Sequence, residues 1–135
     1  MVLHLIHWLD SGELDFRPQL ISTECSLYPK ISIAPPTIHD RRPDLFAMSK
    51  NPGCCLIGEA KTTKDLDTDR TESQLRAFVR HLMEVGKGYI VLGVTWNNMP
   101  TAKSMLRKII NTEGATEVMP RVVDCSLSLM RSDMR

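Results

Sequence analysis

Asp44, Glu59 and Lys61 are the residues whose types and spacing carry the most chemistry in this chain. They fall in two short pieces, Pro43-Asp44 and Gly58-Glu59-Ala60-Lys61, the second closing the apolar run Cys54-Cys55-Leu56-Ile57. Two carboxylates brought together bind a hard divalent cation such as magnesium, which takes oxygen ligands and keeps waters that exchange for phosphate oxygens. A cation so held polarises a phosphodiester and supplies hydroxide at neutral pH. An adjacent ammonium orients the attacking water or offsets the charge that grows on the phosphate. Each of the three side chains therefore has a part in hydrolysing a phosphodiester.

Their convergence depends on strand geometry. Residues two apart on a strand share a face, so Glu59 and Lys61 project together if the apolar run is a buried strand. Asn51-Pro52-Gly53-Cys54 places Pro and Gly at the central positions preferred by a type II turn. If that turn closes an antiparallel hairpin, Asn51 pairs with Cys54, and Asp44 falls opposite Lys61 and diagonally across from Glu59. A loop longer by one residue would reverse the parity. The plainer alternative is a Pro-Asp turn beside a solvated Glu-x-Lys ion pair of little energetic value.

The elements that follow extend the pattern. Gln74-Leu75-Arg76-Ala77-Phe78 opens a helix, and Gly86-Lys87-Gly88 with Tyr89-Ile90-Val91-Leu92 reads as a second buried strand. From Arg41 to Trp96 this order resembles the PD-(D/E)xK nuclease superfamily, with closest likeness to its small VRR-NUC and Holliday-junction-resolvase-like members. The resemblance implies an α/β domain with a restriction-endonuclease-like core: a mixed sheet with an antiparallel hairpin, then a crossover helix, flanked by helices. It also implies Asp44 and Glu59 as metal ligands, Ala60 as a backbone-carbonyl ligand, Lys61 as the residue positioning the nucleophile, and Gln74 as a support for the site. A further carboxylate often stands on a helix ahead of the first core strand in that family, and both Glu13 and Glu24 are candidates for it here.

Helix signals give Gln74 a competing role. Thr71-Glu72-Ser73-Gln74 matches a capping box, and a Gln74 side chain that caps Thr71 cannot also reach the metal site. Leu75, Phe78, Val79, Leu82 and Met83 then repeat on one face until Gly86, leaving Arg76 and Arg80 on the polar side facing solvent. A return from this helix to a parallel strand at Tyr89–Val94 would be a right-handed crossover. A second helix is expected from about Pro100 to Gly114, carried by Ala102, Met105, Leu106, Ile109 and Ile110. One or two short strands are expected between Thr116 and Leu129, with Pro120 marking an edge or a break. Earlier in the chain, Met1–Leu9 reads as a short docking helix and Gln19–Ile33 as β-prone up to Pro35-Pro36. Thr62 to Arg70 is a polar loop leaving the catalytic strand.

Size and composition bound the function. A chain of 135 residues with 42% hydrophobic content is one globular domain able to build a core without disulfides. Its 4 cysteines include no C-x-x-C pair, so buried thiols in a reducing cytoplasm are expected rather than zinc or cystine. The apolar start meets Asp10 too soon to span a membrane and lacks a positive leading segment. His4 and His7 are one turn apart, but with no third ligand nearby they are expected to flank a packed face.

A net charge of +1 is modest for a nucleic-acid binder. Basic residues nevertheless cluster around the proposed site: Arg41, Arg42, Lys64 and Arg70 are the candidate phosphate contacts, and solvated charge is the alternative. The expectation is a Mg²⁺- or Mn²⁺-dependent hydrolase of DNA phosphodiesters, structure-specific or nonspecific, with RNA left open. No recognition helix, zinc finger or aromatic stacking motif is recognisable, so specificity would come from nucleic-acid structure, a homodimer or a partner protein. Two other readings remain: a catalytically silent nucleic-acid-binding or scaffolding subunit with the same fold, and an unrelated α/β interaction protein.

Overall fold

The run Cys54-Cys55-Leu56-Ile57-Gly58-Glu59-Ala60 forms the middle strand of a sheet, because its apolar residues are continuous and both of its faces are covered. A computed structural model describes residues 1–23, 34–51 and 53–126. In chain order the elements are α1 (Val2–Asp10), β1 (Pro18–Thr23), β2 (Leu45–Ser49), β3 (Cys54–Ala60), α2 (Thr63–Leu66), α3 (Asp69–Val85), β4 (Lys87–Val94), a 3₁₀ turn (Trp96–Asn98), α4 (Met99–Glu113) and β5 (Val118–Asp124). The five strands lie in the order β1-β2-β3-β4-β5. The first three are antiparallel; β3, β4 and β5 run parallel, so the α/β sheet is mixed and flanked by helices.

Alternation along the strands sorts side chains into two cores. Phe46, Cys55, Ile57, Ile90, Leu92 and Val94 face one way, and α3 and α4 cover them with Leu75, Phe78, Leu82, Leu106 and Ile109. Leu45, Ala47, Leu56 and Val91 face the other way, beneath Leu5, Ile6 and Leu9 of α1 and the following Leu14 and Phe16. At about 25 cal/mol per Å² of apolar area, such two-sided burial supplies most of the drive for the sheet. The close seat of α1 requires a glycine in β4: a Cβ at Gly93 would come within 2.8 Å of Leu5 Cδ2 and 2.9 Å of Cys125 Sγ.

Several sequence expectations change in detail. The β2–β3 register pairs Leu45 with Gly58 and Met48 with Cys55, which sets Asp44 across from Glu59 rather than from Lys61. The slip is two residues, so the expected face is kept. Helix α3 begins at Asp69 under a Thr68 cap, whose hydroxyl accepts from the Thr71 amide. Thr71 is therefore inside the helix, and the Thr71–Gln74 capping box does not form. Gly86 ends the helix with φ 135° and its amide on the Leu82 carbonyl.

Met83 is 38% exposed instead of buried, while Leu75, Phe78, Val79 and Leu82 line the core as their spacing predicts. Arg76 and Arg80 do not simply face solvent; both grip Glu113 of α4, and Arg76 also binds Glu72. The polar loop after β3 contains the short helix α2, unexpected from its sequence. Pro120 does lie in an edge strand, opposite Ile90, where its missing N–H costs no ladder bond toward solvent. The β-prone segment continues beyond β1 into residues 24–33, which lie outside the described residues. Cys54, Cys55 and Cys125 are free thiols; Cys25 falls outside.

Candidate metal centre

The C-terminal end of β3 and the N-terminal end of β2 meet on the α3-covered face, and the carboxylates are placed there by strand parity. Asp44 shares a face with Phe46, and Glu59 with Ile57, both members of the core under α3. The two carboxylates are cross-strapped to the opposite strands. The Asp44 amide donates to Glu59 Oε1 at 2.8 Å, and the Ala60 amide donates to Asp44 Oδ2 at 2.9 Å. The Thr23 hydroxyl on β1 donates to the Asp44 carbonyl at 2.9 Å, which fixes the backbone entering β2. No sequence signal singles out Thr23.

Glu59 is only 2% exposed, and its neighbour across the parallel ladder is the fully buried Leu92. Burial, and then the nearby charge of Asp44, push its carboxyl up to about 7 from 4.5; the Asp44 amide and the Lys61 ammonium oppose this. Lys61 Nζ stands 3.6 Å from Glu59 Oε2, and Gln74 Nε2 donates to the same oxygen at 3.4 Å. With Thr68 acting as the cap, Gln74 lies a turn inside α3 and its amide is available to Glu59. Its side chain thus contacts Glu59 instead of capping Thr71.

The Lys61 amide continues the ladder onto Gly93 O at 3.0 Å, so its side chain leaves from a fixed backbone. Beyond it, Thr68 and Thr71 both donate their hydroxyls to the Asp65 carbonyl, at 3.0 and 2.6 Å, tying α2 to the start of α3. An open cavity of about 440 Å³ lies over this corner, lined in part by Arg41, Arg42, Lys61, Arg70 and Gln74, with Asp40 and Asp65 as its acids.

The four candidate phosphate contacts are not equivalent. Arg41 follows a tight turn in which His39 and Asp40 take left-handed φ values of 49° and 65°. Its guanidinium donates to Arg70 O at 3.3 Å and Ser73 Oγ at 3.4 Å, clamping the first turn of α3. Arg42 and Arg70 are exposed at the cavity, whereas Lys64 is exposed on α2 outside its lining.

A hard divalent cation suits this donor set. A buried glutamate held near neutrality beside an aspartate is short of positive charge, and a cation supplies it. Asp44 and Glu59 would hold it, with the Ala60 carbonyl as the third protein oxygen. Among the described residues no group of three or more His, Cys, Asp or Glu side chains is assembled to bind a metal, so carbonyl, water and substrate oxygens would complete the shell. Glu13 accepts from the Trp8 indole at 3.0 Å, and its exposed side chain makes no described contact with Asp44 or Glu59. Glu24 lies outside the described residues. Among the described residues no helix is long and apolar enough to cross a membrane. Compared with known proteins, the chain matches no family model, no curated protein and no solved structure.

Proposed function

We propose that the chain is a Mg²⁺- or Mn²⁺-dependent phosphodiesterase acting on nucleic acid, with DNA as the favoured substrate and a restriction-endonuclease-like arrangement of its core. One observation carries this reading: Asp44, Glu59, Lys61 and Gln74, drawn from two strands and a helix, meet at one point on one face of the sheet. An ordinary surface ion pair would not bury a glutamate to 2% exposure and leave its carboxyl raised to about 7.

When bound, the cation supplies charge stabilisation for the phosphodiester and lowers the pKa of water. The chain's own residues do the rest. Asp44 is held by the Ala60 amide, so its carboxylate enters the site in a fixed orientation. Gln74 and Lys61 together steady Glu59 Oε2, and the Lys61 ammonium is placed to orient a water and to offset charge developing on phosphate. Arg42 and Arg70 line the approach, where they would neutralise flanking phosphates.

A second reading is a catalytically silent nucleic-acid-binding or scaffolding subunit with the same fold. The deciding experiment is cleavage of single-stranded, duplex, branched and circular DNA, with RNA controls, in Mg²⁺, Mn²⁺ or EDTA, alongside Glu59→Gln. Metal-dependent cutting lost in the variant supports the enzyme. Absence of cutting on every substrate in both metals would overturn it in favour of the silent subunit.

A further inference from the structure

Trp96 is the most exposed large hydrophobic side chain among the described residues, at 68%, against 44% or less for Met48, Met119, Met83 and Leu20. Exposing an indole forgoes one of the larger hydrophobic gains open to a side chain. Its backbone, in contrast, is firmly mounted. The Trp96 amide donates to Ser126 Oγ at 2.8 Å, and the Asn98 amide donates to Thr95 O at 2.9 Å. The Asn98 side chain, itself 9% exposed, donates to Thr95 Oγ1 at 3.0 Å and to Thr63 Oγ1 at 2.6 Å. A turn held by these hydrogen bonds thus presents an exposed aromatic side chain.

The mount belongs to the same end of the sheet as the carboxylates. Gly93 accepts from the Lys61 amide, and Asn98 reaches Thr63, two residues after Lys61. Trp96 comes three positions after Gly93, at most roughly 11 Å of extended backbone, a few stacked nucleotides at 3.4 Å each. Lys61 and the exposed Lys64 flank Thr63, the residue that Asn98 reaches, and provide cations there.

We propose that Trp96 is a stacking platform for an unpaired nucleobase and selects single-stranded nucleic acid, or the single-stranded part of a branched one, at this site; the inference rests on the phosphodiesterase reading. Every base has a π-face, so an aromatic platform binds strands with little sequence preference. A continuous duplex keeps those faces stacked on one another and offers nothing to the indole. Selection therefore acts on strandedness, in a chain without an evident base-reading element.

The test uses oligothymidylate and a matched duplex in EDTA, where binding is read without cutting. The chain has two tryptophans, so Trp8→Phe leaves Trp96 as the sole indole reporter. Oligothymidylate is expected to quench its fluorescence. Trp96→Ala is expected to weaken oligothymidylate binding about 5- to 150-fold, the range for one base–aromatic stack, with a much smaller effect on the duplex. Trp96→Phe should retain most of the affinity. Equal binding of oligothymidylate by wild type and Trp96→Ala, or equal losses for both ligands, overturns the platform. Cleavage of single-stranded, duplex, branched and circular DNA and of RNA in Mg²⁺ and Mn²⁺ separates the two ideas: no cutting of any of them with the Trp96 effects intact would end the phosphodiesterase reading and leave the platform standing.

Discussion

Asp44 and Glu59 sit across from one another at the mouth of the β2–β3 hairpin, the Asp44 amide donating to Glu59 Oε1 at 2.8 Å while Asp44 Oδ2 accepts from the Ala60 amide at 2.9 Å. Each carboxylate is thus locked to the strand of the other. This places two acidic groups in a buried corner, where ionising both is costly unless a cation is present.

Stability without metal should therefore fall as pH rises. The Glu59 carboxyl is raised from 4.5 to about 7 in the folded protein. Below about 4.5 both folded and unfolded states hold the proton; above it the unfolded chain releases the proton first, and folding loses stability until the native group also ionises near 7. The loss across that window is on the order of 3 kcal/mol at most. Urea melts in EDTA between pH 4.5 and 8 measure it, after the ordinary contributions of other groups are removed by comparison with Glu59→Gln. Gln keeps an acceptor for the Asp44 amide and should flatten the Glu59 component. Mn²⁺ should stabilise more as pH rises, because it binds the ionised pair. A wild-type pH profile matching that of Glu59→Gln would remove the basis for this assignment.

Asp44→Asn and Lys61→Ala separate chemistry from folding. Asn can still accept from the Ala60 amide, and the Lys61 side chain lies at the site's edge with 17% exposure, so both variants should fold with stability near wild type. Cleavage should fall by about 10²- to 10³-fold for Lys61→Ala, the scale for removing one charge-stabilising group, and at least as far for Asp44→Asn. Single-turnover cleavage beside circular dichroism tests both. Wild-type cutting by either variant would mean the assigned role is wrong.

Gln74 should tune Glu59 rather than react. Its amide donates to Glu59 Oε2 at 3.4 Å, a long contact that favours the ionised carboxylate weakly. Gln74→Ala is expected to move the pH midpoint of Mn²⁺ binding upward by less than about one unit. Titrations of Mn²⁺ affinity against pH would reveal a downward shift or none, and either result would detach Gln74 from the carboxylate pair.

These residues were legible in the sequence to different depths. The shared face of Asp44, Glu59 and Lys61 followed from a period of two, and it survived a register different from the one the Pro52-Gly53 turn suggested because the slip was itself two residues. The helix start was harder. Thr71-Glu72-Ser73-Gln74 is the better capping pattern, yet Thr68 caps, because α2 and the Asp65 carbonyl bring both threonine hydroxyls into a tertiary arrangement that local spacing does not encode. Asn98 and Thr23 reach across 35 and 21 residues of chain, beyond any local pattern.

The partnership of Arg76 and Arg80 with Glu113 was likewise invisible in a polar helical face, and it has a pH signature opposite to that of Glu59. Arg80 Nε and Arg76 Nη1 donate to the two Glu113 oxygens at 2.9 and 3.1 Å, and these guanidinium groups, Arg80 first, hold its carboxyl below the ordinary range. A depressed carboxyl contributes stability above its unfolded pKa and loses it as pH falls through the folded value. The pair clamps α3 to α4, and α3 carries Gln74, so loosening it should be felt first as lower thermal stability and only second at the site. Glu113→Gln is expected to lower the thermal midpoint at pH 7, with the gap from wild type closing below about pH 4 and narrowing in high salt, because these side chains are partly exposed. Melting curves of both proteins across pH and salt would test this; a gap that persists unchanged in acid would show that Glu113 acts through packing rather than through its charge.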